Sequence, residues 1–202
     1  MLISELAKAV HENAVAHGWW DDDREAPEII ALIHSEWSEA LEEARAGRPN
    51  VYRLCNDCDD GPCDVEPDEA TACGFKAKEH KPEGVCVELI DGCIRILDYA
   101  GKLEADFTDN DGSPSSMESL YSDSNVAKTP DNVAHLLAYL HLFTSQAFAE
   151  SNALIPCNML GLANAMAAAL SWVKKQGLDP LAILLEKHEY NKTRPYKHGK
   201  KF

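Results

Sequence analysis

Residues 28–47 read EIIALIHSEWSEALEEARAG, and this stretch decides the fold because its apolar side chains recur at the spacing of an amphipathic α-helix. At roughly 100° per residue, Ile33 and Trp37 fall on one apolar stripe that should pack against another helix. Glu36 borders that stripe directly, and Glu39 lies further round the same flank. The helix is therefore predicted to hold carboxylates at the edge of its buried face, where a charge needs a partner.

A second helix, predicted over residues 82–100, repeats this arrangement. It places Glu88 and Asp91 three residues apart beside an apolar face. Asp98 is expected at the surface near the helix end, and the alternative is that it joins the site as a supporting acid. Side chains three apart are neighbours on a helix, so packing of the two helices would bring four carboxylates together. These four candidate metal-binding and catalytic residues are Glu36, Glu39, Glu88 and Asp91.

Four converging carboxylates have a definite chemical consequence. They repel one another, and this repulsion raises their pKa values unless a cation lies between them. Mg²⁺ prefers oxygen ligands and commonly shares its coordination shell with waters and phosphate oxygens. The pattern therefore predicts metal-assisted attack of water on a phosphate ester or anhydride.

The remaining sequence favours a single all-α domain over residues 1–202. Thr129 is a predicted N-cap, because it precedes a proline that suits the first helical turn, and the last helix is predicted to begin at Asp179-Pro180. No segment alternates in the manner of a strand. The predicted helices, about six, lie at 4–17, 28–47, 82–100, 129–150, 157–176 and 179–191, and two irregular inserts lie at about 50–81 (Cys-rich) and 102–128 (a Ser/Asp-rich loop).

The charge of the chain limits its partners. With 34 acidic and 19 basic residues the formal net charge is −15, which repels a nucleic-acid backbone and an anionic membrane. No run of about 18 apolar residues exists, so no membrane span is expected. The first residues carry charges inside their apolar stretch and have no basic lead-in, which is unlike a secretory signal. We therefore expect a cytoplasmic protein without a nucleic-acid polymer as its partner.

The seven cysteines fall into two groups. The first group has the spacing C-x2-C-x4-C-x9-C, which is a candidate structural zinc site of four thiolates, with His80 as a substitute ligand. Free thiols and, in a reducing compartment less readily, disulfides are the alternatives. The remaining three cysteines lie in apolar helical contexts and are expected to be small core residues. The candidate zinc ligands are Cys55, Cys58, Cys63 and Cys73, and the expected core residues are Cys86, Cys93 and Cys157.

Three stretches carry a resemblance to a known family. The runs ALIHSEWSEALEEARAG and KPEGVCVELIDGCIRILDYAG resemble the two acidic motifs of MazG-like nucleotide pyrophosphohydrolases, and EKHEYNKTRPYKHGKK resembles their closing stretch. The family pattern, Glu-x-x-Glu followed by Glu-x-x-Asp, falls here on Glu36, Glu39, Glu88 and Asp91. The spacer between the two pairs is longer than is usual in the family, because it holds the Cys-rich insert.

The resemblance implies a fold and an activity. It implies a helical bundle assembled as a homodimer or homotetramer, with Mg²⁺ or Mn²⁺ bound by the four acids. It also implies cleavage of a nucleoside triphosphate between its α- and β-phosphates, which gives a monophosphate and pyrophosphate and would suit housecleaning of the nucleotide pool. Lys187, Asn191 and Arg194 are implied phosphate ligands.

Other interpretations remain open. The chain could be a non-catalytic bundle that binds nucleotides or proteins, with a zinc-stabilised insert as its contact surface. A different phosphoanhydride, such as a nucleotide sugar or an alarmone, could be the substrate. Of the adjacent pair Trp19 and Trp20, at most one would stack on a base, and Trp20 is the candidate; the alternative is that both anchor the core.

Overall fold

The computed structural model of this chain describes residues 1–54, 80–109, 111–149 and 159–199. The four candidate zinc ligands and Cys157 therefore lie outside the described residues. Within them the chain is mostly helical, which confirms the all-α prediction in its coarse form. The helices are α1 (Ile3–Ala16), α2 (Ala26–Arg45), α3 (Val85–Lys102), α4 (Met117–Leu120), α5 (Asp123–Lys128), α6 (Val133–Ala149), α7 (Met159–Lys175) and α8 (Pro180–Lys192), followed by a 3₁₀ turn at Tyr196–Gly199.

Helix α3 lies at the centre of the core, where it packs against α1, α2, α7 and α8. Its two glycines allow the closest approaches. A methyl group at Gly92 would lie 2.2 Å from the Cζ3 atom of the Trp37 ring, and one at Gly101 would lie 2.5 Å from the carbonyl oxygen of Ala7. Trp37 is fully buried, and its indole N–H donates to Thr144 Oγ1 of α6 at 3.0 Å. The α2–α3 contact is therefore close and fixed in register.

The prediction that no segment forms a strand is wrong. Two short strands, β1 (Tyr52–Leu54) and β2 (Lys81–Glu83), pair antiparallel with Tyr52 opposite Glu83 and Leu54 opposite Lys81. The predicted Cys-rich insert therefore begins and ends on one ladder. Strands of three residues are too short to show an alternating pattern, which explains why the sequence did not indicate them.

The segment 102–128 is also more ordered than predicted. It contains α4 and α5, and the Ser116 side chain accepts a hydrogen bond from the Ser119 N–H as the N-cap of α4. Met117 is fully buried in the core. Leu2 forms an antiparallel bridge with Ser116, which joins this segment to the start of α1.

The predicted N-cap of α6 is wrong by three residues. Helix α6 begins at Val133, where the Asn132 side-chain oxygen accepts from the backbone N–H groups of Ala134 and His135 at 2.8 and 3.3 Å. Thr129 instead closes α5, since its hydroxyl donates to the carbonyl oxygen of Asn125 at 2.9 Å. None of the helices within the described residues combines the length and apolarity that crossing a bilayer requires.

Candidate metal centre

A polar cleft of about 180 Å³ lies among α1, α2, α3 and α8. Helix α2 contributes Glu36 and Glu39 to its lining, and α3 contributes Glu88 and Asp91. All four predicted acids therefore line one cleft, although the two pairs are some fifty residues apart in the sequence. The close α2–α3 packing at Gly92 and Trp37 is what brings the two acidic faces together.

Three of these acids form a compact cluster. One carboxylate oxygen from each of Glu36, Glu88 and Asp91 lies within 4.8 Å of the others. Glu36 and Glu88 are buried, and Asp91 is half-buried. Glu39 is exposed and stands at the rim of the cleft, outside this cluster. The structure thus brings oxygens of three predicted ligands within 4.8 Å of one another and places the fourth residue in the same cleft.

Two cations already pair with the cluster. Arg95 Nε lies 3.0 Å from Glu36 Oε1, and Lys187 Nζ lies 2.8 Å from Asp91 Oδ2. Lys187 is only 1% exposed and also donates to the carbonyl oxygen of Pro82 at 3.0 Å. Lys187, which the resemblance implies as a phosphate ligand, therefore neutralises Asp91 in this structure.

The pKa values of the acids reflect burial. Burial, the charge of Asp91 and a hydrogen bond with Glu83 raise the pKa of Glu88 to about 10. Burial also raises the pKa of Glu36, with the charges of Asp91 and Glu39 adding to the effect and Arg95 opposing it. Burial works against ionisation of Glu83 too, yet its hydrogen bonds with Glu88 and Lys81 lower its pKa. A hydrogen bond between the carboxyl groups of Glu83 and Glu88 requires a proton on one of them, and the raised pKa of Glu88 favours the proton there.

The donor set of this cluster fits a hard divalent cation. It offers only carboxylate oxygens, which are the ligands that Mg²⁺ and Mn²⁺ take. Three acids are balanced here by Arg95, Lys187 and one proton, and a divalent ion could displace that proton and loosen the ion pairs. Glu36, Glu88 and Asp91 would hold such an ion, with Glu39 within the same cleft.

The opposite wall of the cleft comes from α8 and the residues that follow it. His188, Asn191 and Arg194 line it at intervals of three residues, and Lys81 joins them from β2. Asn191 and Arg194, which the resemblance implies as phosphate ligands, therefore both line the cleft. His188 was not predicted, although its spacing from Asn191 would have placed it on the same helical face.

Of the two adjacent tryptophans, the structure places Trp19 and not Trp20 in the lining of the cleft. Trp19 lines the cleft and is 7% exposed, with the guanidinium carbons of Arg24 and Arg95 lying 5.1 and 5.8 Å from its ring centroid. Trp20 is not among the residues that line the cleft. Its indole N–H donates to Asp98 Oδ1 at 2.9 Å. Trp20 therefore contacts a residue that lines the cleft, Asp98, without lining the cleft itself.

Asp98 lies at the site, as the alternative prediction had it, and not at the surface. It lines the cleft, its side chain is 16% exposed, and it bonds both Trp20 and His11 Nδ1, the latter at 2.8 Å. The core positions predicted for Cys86 and Cys93 are confirmed, since both are buried free thiols. His80 is buried as well, while the thiolates that it was expected to join lie outside the described residues.

The three stretches that resemble MazG-like proteins supply three walls of this cleft, on α2, on β2 with α3, and on α8 with the residues after it. No protein-family model, no curated protein and no solved structure matches this chain.

Proposed function

We propose that this protein is a MazG-like, Mg²⁺- or Mn²⁺-dependent pyrophosphohydrolase that converts a nucleoside triphosphate to its monophosphate and pyrophosphate. One observation carries the proposal: three carboxylate oxygens of Glu36, Glu88 and Asp91 lie within 4.8 Å of one another in a cleft with basic residues on its other walls. An oxygen-only cluster beside cations suits a metal–triphosphate complex better than it suits an apolar ligand.

The residues of the cleft would divide the work of this reaction. A bound divalent ion would offset phosphate charge and make water a better nucleophile. Glu36, Glu88 and Asp91 would hold it, and the exposed Glu39 would accept the proton of the attacking water. Arg194 lines the cleft and would offset charge on the departing pyrophosphate.

Lys187 would change partners during this reaction. It now bonds Asp91 and the Pro82 carbonyl oxygen, so its ammonium group is buried beside the cluster. A divalent ion on Asp91 would weaken that ion pair by competing for the same carboxylate. The freed ammonium would then be available to a phosphate oxygen, which agrees with the role implied for it by the resemblance.

The test is pyrophosphate release with Mg²⁺ from a panel of canonical and modified nucleoside triphosphates, nucleotide sugars and alarmones. Glu36→Gln and Asp91→Asn each remove one anionic ligand while keeping the side-chain shape, and we expect at least about a 100-fold loss of rate. Glu42→Gln is the matched control, because Glu42 is exposed on the same helix and pairs with Arg45. Full activity in either site variant, with unchanged helical circular dichroism, would contradict the proposal.

A second function, a non-catalytic binding module, is favoured by one observation. Arg95 and Lys187 already neutralise Glu36 and Asp91, so the cluster is electrostatically balanced without a metal. In that case Mg²⁺ would neither bind nor raise the melting temperature. The zinc-stabilised insert proposed for such a module involves Cys55, Cys58, Cys63 and Cys73, and metal analysis of the purified protein tests it.

A second copy of this chain is the proposed protein partner, in a homodimer or homotetramer. Helix α6 presents Tyr139 and Leu142 to solvent with exposed fractions of 51% and 48%, and Leu160 at the start of α7 is 70% exposed. Large exposed apolar side chains on adjacent helices are typical of an interface. This support is independent of the acidic cluster.

A further inference from the structure

Two polar atoms in the wall formed by α8 have no hydrogen-bond partner within the part of the chain that the structure describes. They are Nε2 of His188 and Oδ1 of Asn191, and both are buried. The His188 side chain is only 4% exposed, and both residues line the cleft that holds Glu36, Glu88 and Asp91. The two positions are three residues apart, so they share one face of the helix.

Leaving such atoms unpaired is costly. A buried donor or acceptor without a partner costs about 1–3 kcal/mol, which a folded protein rarely tolerates without a reason. Burial, together with the nearby charge of Lys192, lowers the pKa of His188, so its ring is neutral at physiological pH. A neutral imidazole offers one donor and one acceptor, and an amide oxygen offers an acceptor.

The His188 ring and the Asn191 amide oxygen together disfavour anionic ligand groups. A phosphate oxygen is an acceptor, so it cannot bond the Asn191 amide oxygen. A carboxylate fails for the same reason. A hydroxyl group suits both, because it can accept from His188 when Nε2 carries the ring proton and can donate to Oδ1 of Asn191. Within a nucleoside triphosphate, the hydroxyl groups are those of the sugar.

We infer that His188 and Asn191 form a subsite for a sugar hydroxyl of the nucleotide. This assigns Asn191 a different ligand group from the phosphate that the resemblance implies for it, while Lys187 and Arg194 keep the phosphate role. The inference rests on the proposed function, since it assigns the nucleotide's orientation in the same cleft. The triphosphate would lie against the acidic cluster, and the sugar would lie against α8. The two residues would then set the preference among ribose, deoxyribose and dideoxyribose substrates.

The test compares non-hydrolysable α,β-methylene triphosphates that carry ribose, 2′-deoxyribose or 2′,3′-dideoxyribose on one base, the base of the best hydrolysed substrate. Affinity is measured by calorimetry with Mg²⁺. We expect the wild-type protein to bind the dideoxy analogue about 10- to 100-fold more weakly than the best of the three, as loss of one buried hydrogen bond requires. The His188→Phe/Asn191→Leu variant should bind all three with the affinity that the wild-type protein shows for the dideoxy analogue.

Two further variants separate recognition from folding. His188→Gln keeps an N–H donor and should restore part of the discrimination that His188→Phe loses. Glu189→Gln changes an exposed residue of the same helix and should keep the wild-type ratios. Melting curves show whether each variant is folded at the temperature of the measurement.

The outcomes are distinguishable. Binding of all three analogues with equal affinity by the wild-type protein would overturn the hydroxyl subsite and leave the proposed function intact. An equal loss for all three in His188→Phe/Asn191→Leu, with the ratios retained, would also overturn it. Absence of hydrolysis and of binding for every nucleoside triphosphate would overturn both the subsite and the proposed function.

Discussion

Gly92 shows how a single residue without a side chain sets the geometry of the acidic cluster. It lies one position after Asp91, and the Trp37 ring of α2 occupies the space that a Cβ atom would need. Trp37 in turn follows Glu36 directly, so the contact that joins the helices also sets the separation of the acids. Packing and site geometry are therefore coupled at this point.

Gly92→Ala should destabilise the protein by about 1–3 kcal/mol, because the new methyl group would overlap the buried indole ring. Urea unfolding measures the effect. In a Trp37→Leu background, Gly92→Ala should lower the free energy of unfolding by less, because the ring that the new methyl group would overlap is absent. The difference between the two backgrounds is the control. An equal cost in both backgrounds would show that Trp37 does not limit the approach of the helices.

His141 should make stability depend on pH. Burial lowers its pKa below the ordinary value of 6.5, and its Nδ1 lies 2.7 Å from Nδ1 of His34, whose pKa is also lowered by burial. The unfolded chain therefore takes up protons near pH 6.5 while the folded chain does not. The contribution of the two histidines to the free energy of unfolding is therefore fully present above pH 6.5. It is lost as the pH falls through their lowered pKa values in the folded protein.

The measurement is the free energy of unfolding between pH 8 and pH 5. We expect it to fall toward acid pH in the wild-type protein, and to fall less steeply in His141→Phe, which removes one of the two groups. A variant whose stability falls as steeply as that of the wild-type protein would show that the pair does not titrate on unfolding.

Sequence reasoning about single residues succeeded where spacing was informative. Glu36, Glu88 and Asp91 were predicted to meet because each borders an apolar face, and the structure brings them together. Spacing could not decide between Trp19 and Trp20, because adjacent residues point in different directions and the turn that holds them has no regular period. His188 was missed because a lone histidine carries no motif until the acids across the cleft are known.

At the scale of elements, α8 matters because it carries one wall of the cleft. It begins where predicted, and its N-cap is Asp179, whose side-chain oxygen accepts from the N–H groups of Leu181 and Ala182 at 3.0 and 3.2 Å. The same helix carries His188 and Asn191, which line the cleft. The cap therefore stabilises the element on which these two residues lie.

Asp179→Ala should lower the free energy of unfolding by about 1 kcal/mol, because it leaves two helix N–H groups without their acceptor. Asp179→Asn keeps a side-chain oxygen and should retain most of the stability. Chemical denaturation compares the two. Equal stability of Asp179→Ala and the wild-type protein would contradict a capping role.

The sequence predicted the long elements correctly and missed the short ones. Helices α1, α2, α3, α6, α7 and α8 were all anticipated, since each has three or more turns over which an apolar period can repeat. Helices α4 and α5 have four and six residues, and each strand has three. Elements this short are stabilised by contacts with residues distant in the sequence, as the burial of Met117 in the core shows. The local sequence pattern carries no signal of such contacts.

At the scale of the whole molecule, assembly can be tested without reference to the cleft. If Tyr139 and Leu142 of α6 meet a second copy, Tyr139→Glu/Leu142→Glu should shift the sedimenting species toward the monomer, because burying two carboxylates at the contact is unfavourable. Val15→Glu adds a charge at a similarly exposed apolar position of α1 and is the control. An unchanged mass in the double variant would exclude this face as the contact.

The ion pair between Lys187 and Asp91 has a consequence for how the protein matures on the ribosome. The acids are synthesised roughly a hundred residues before the lysine that neutralises one of them. A nascent chain that has not yet exposed α8 therefore carries an electrostatically unbalanced pair of helices, even though α1, α2 and α3 can already pack. Arrest at successive lengths should accordingly reveal early helical contacts and a late step in which protease resistance appears only once residue 187 has emerged.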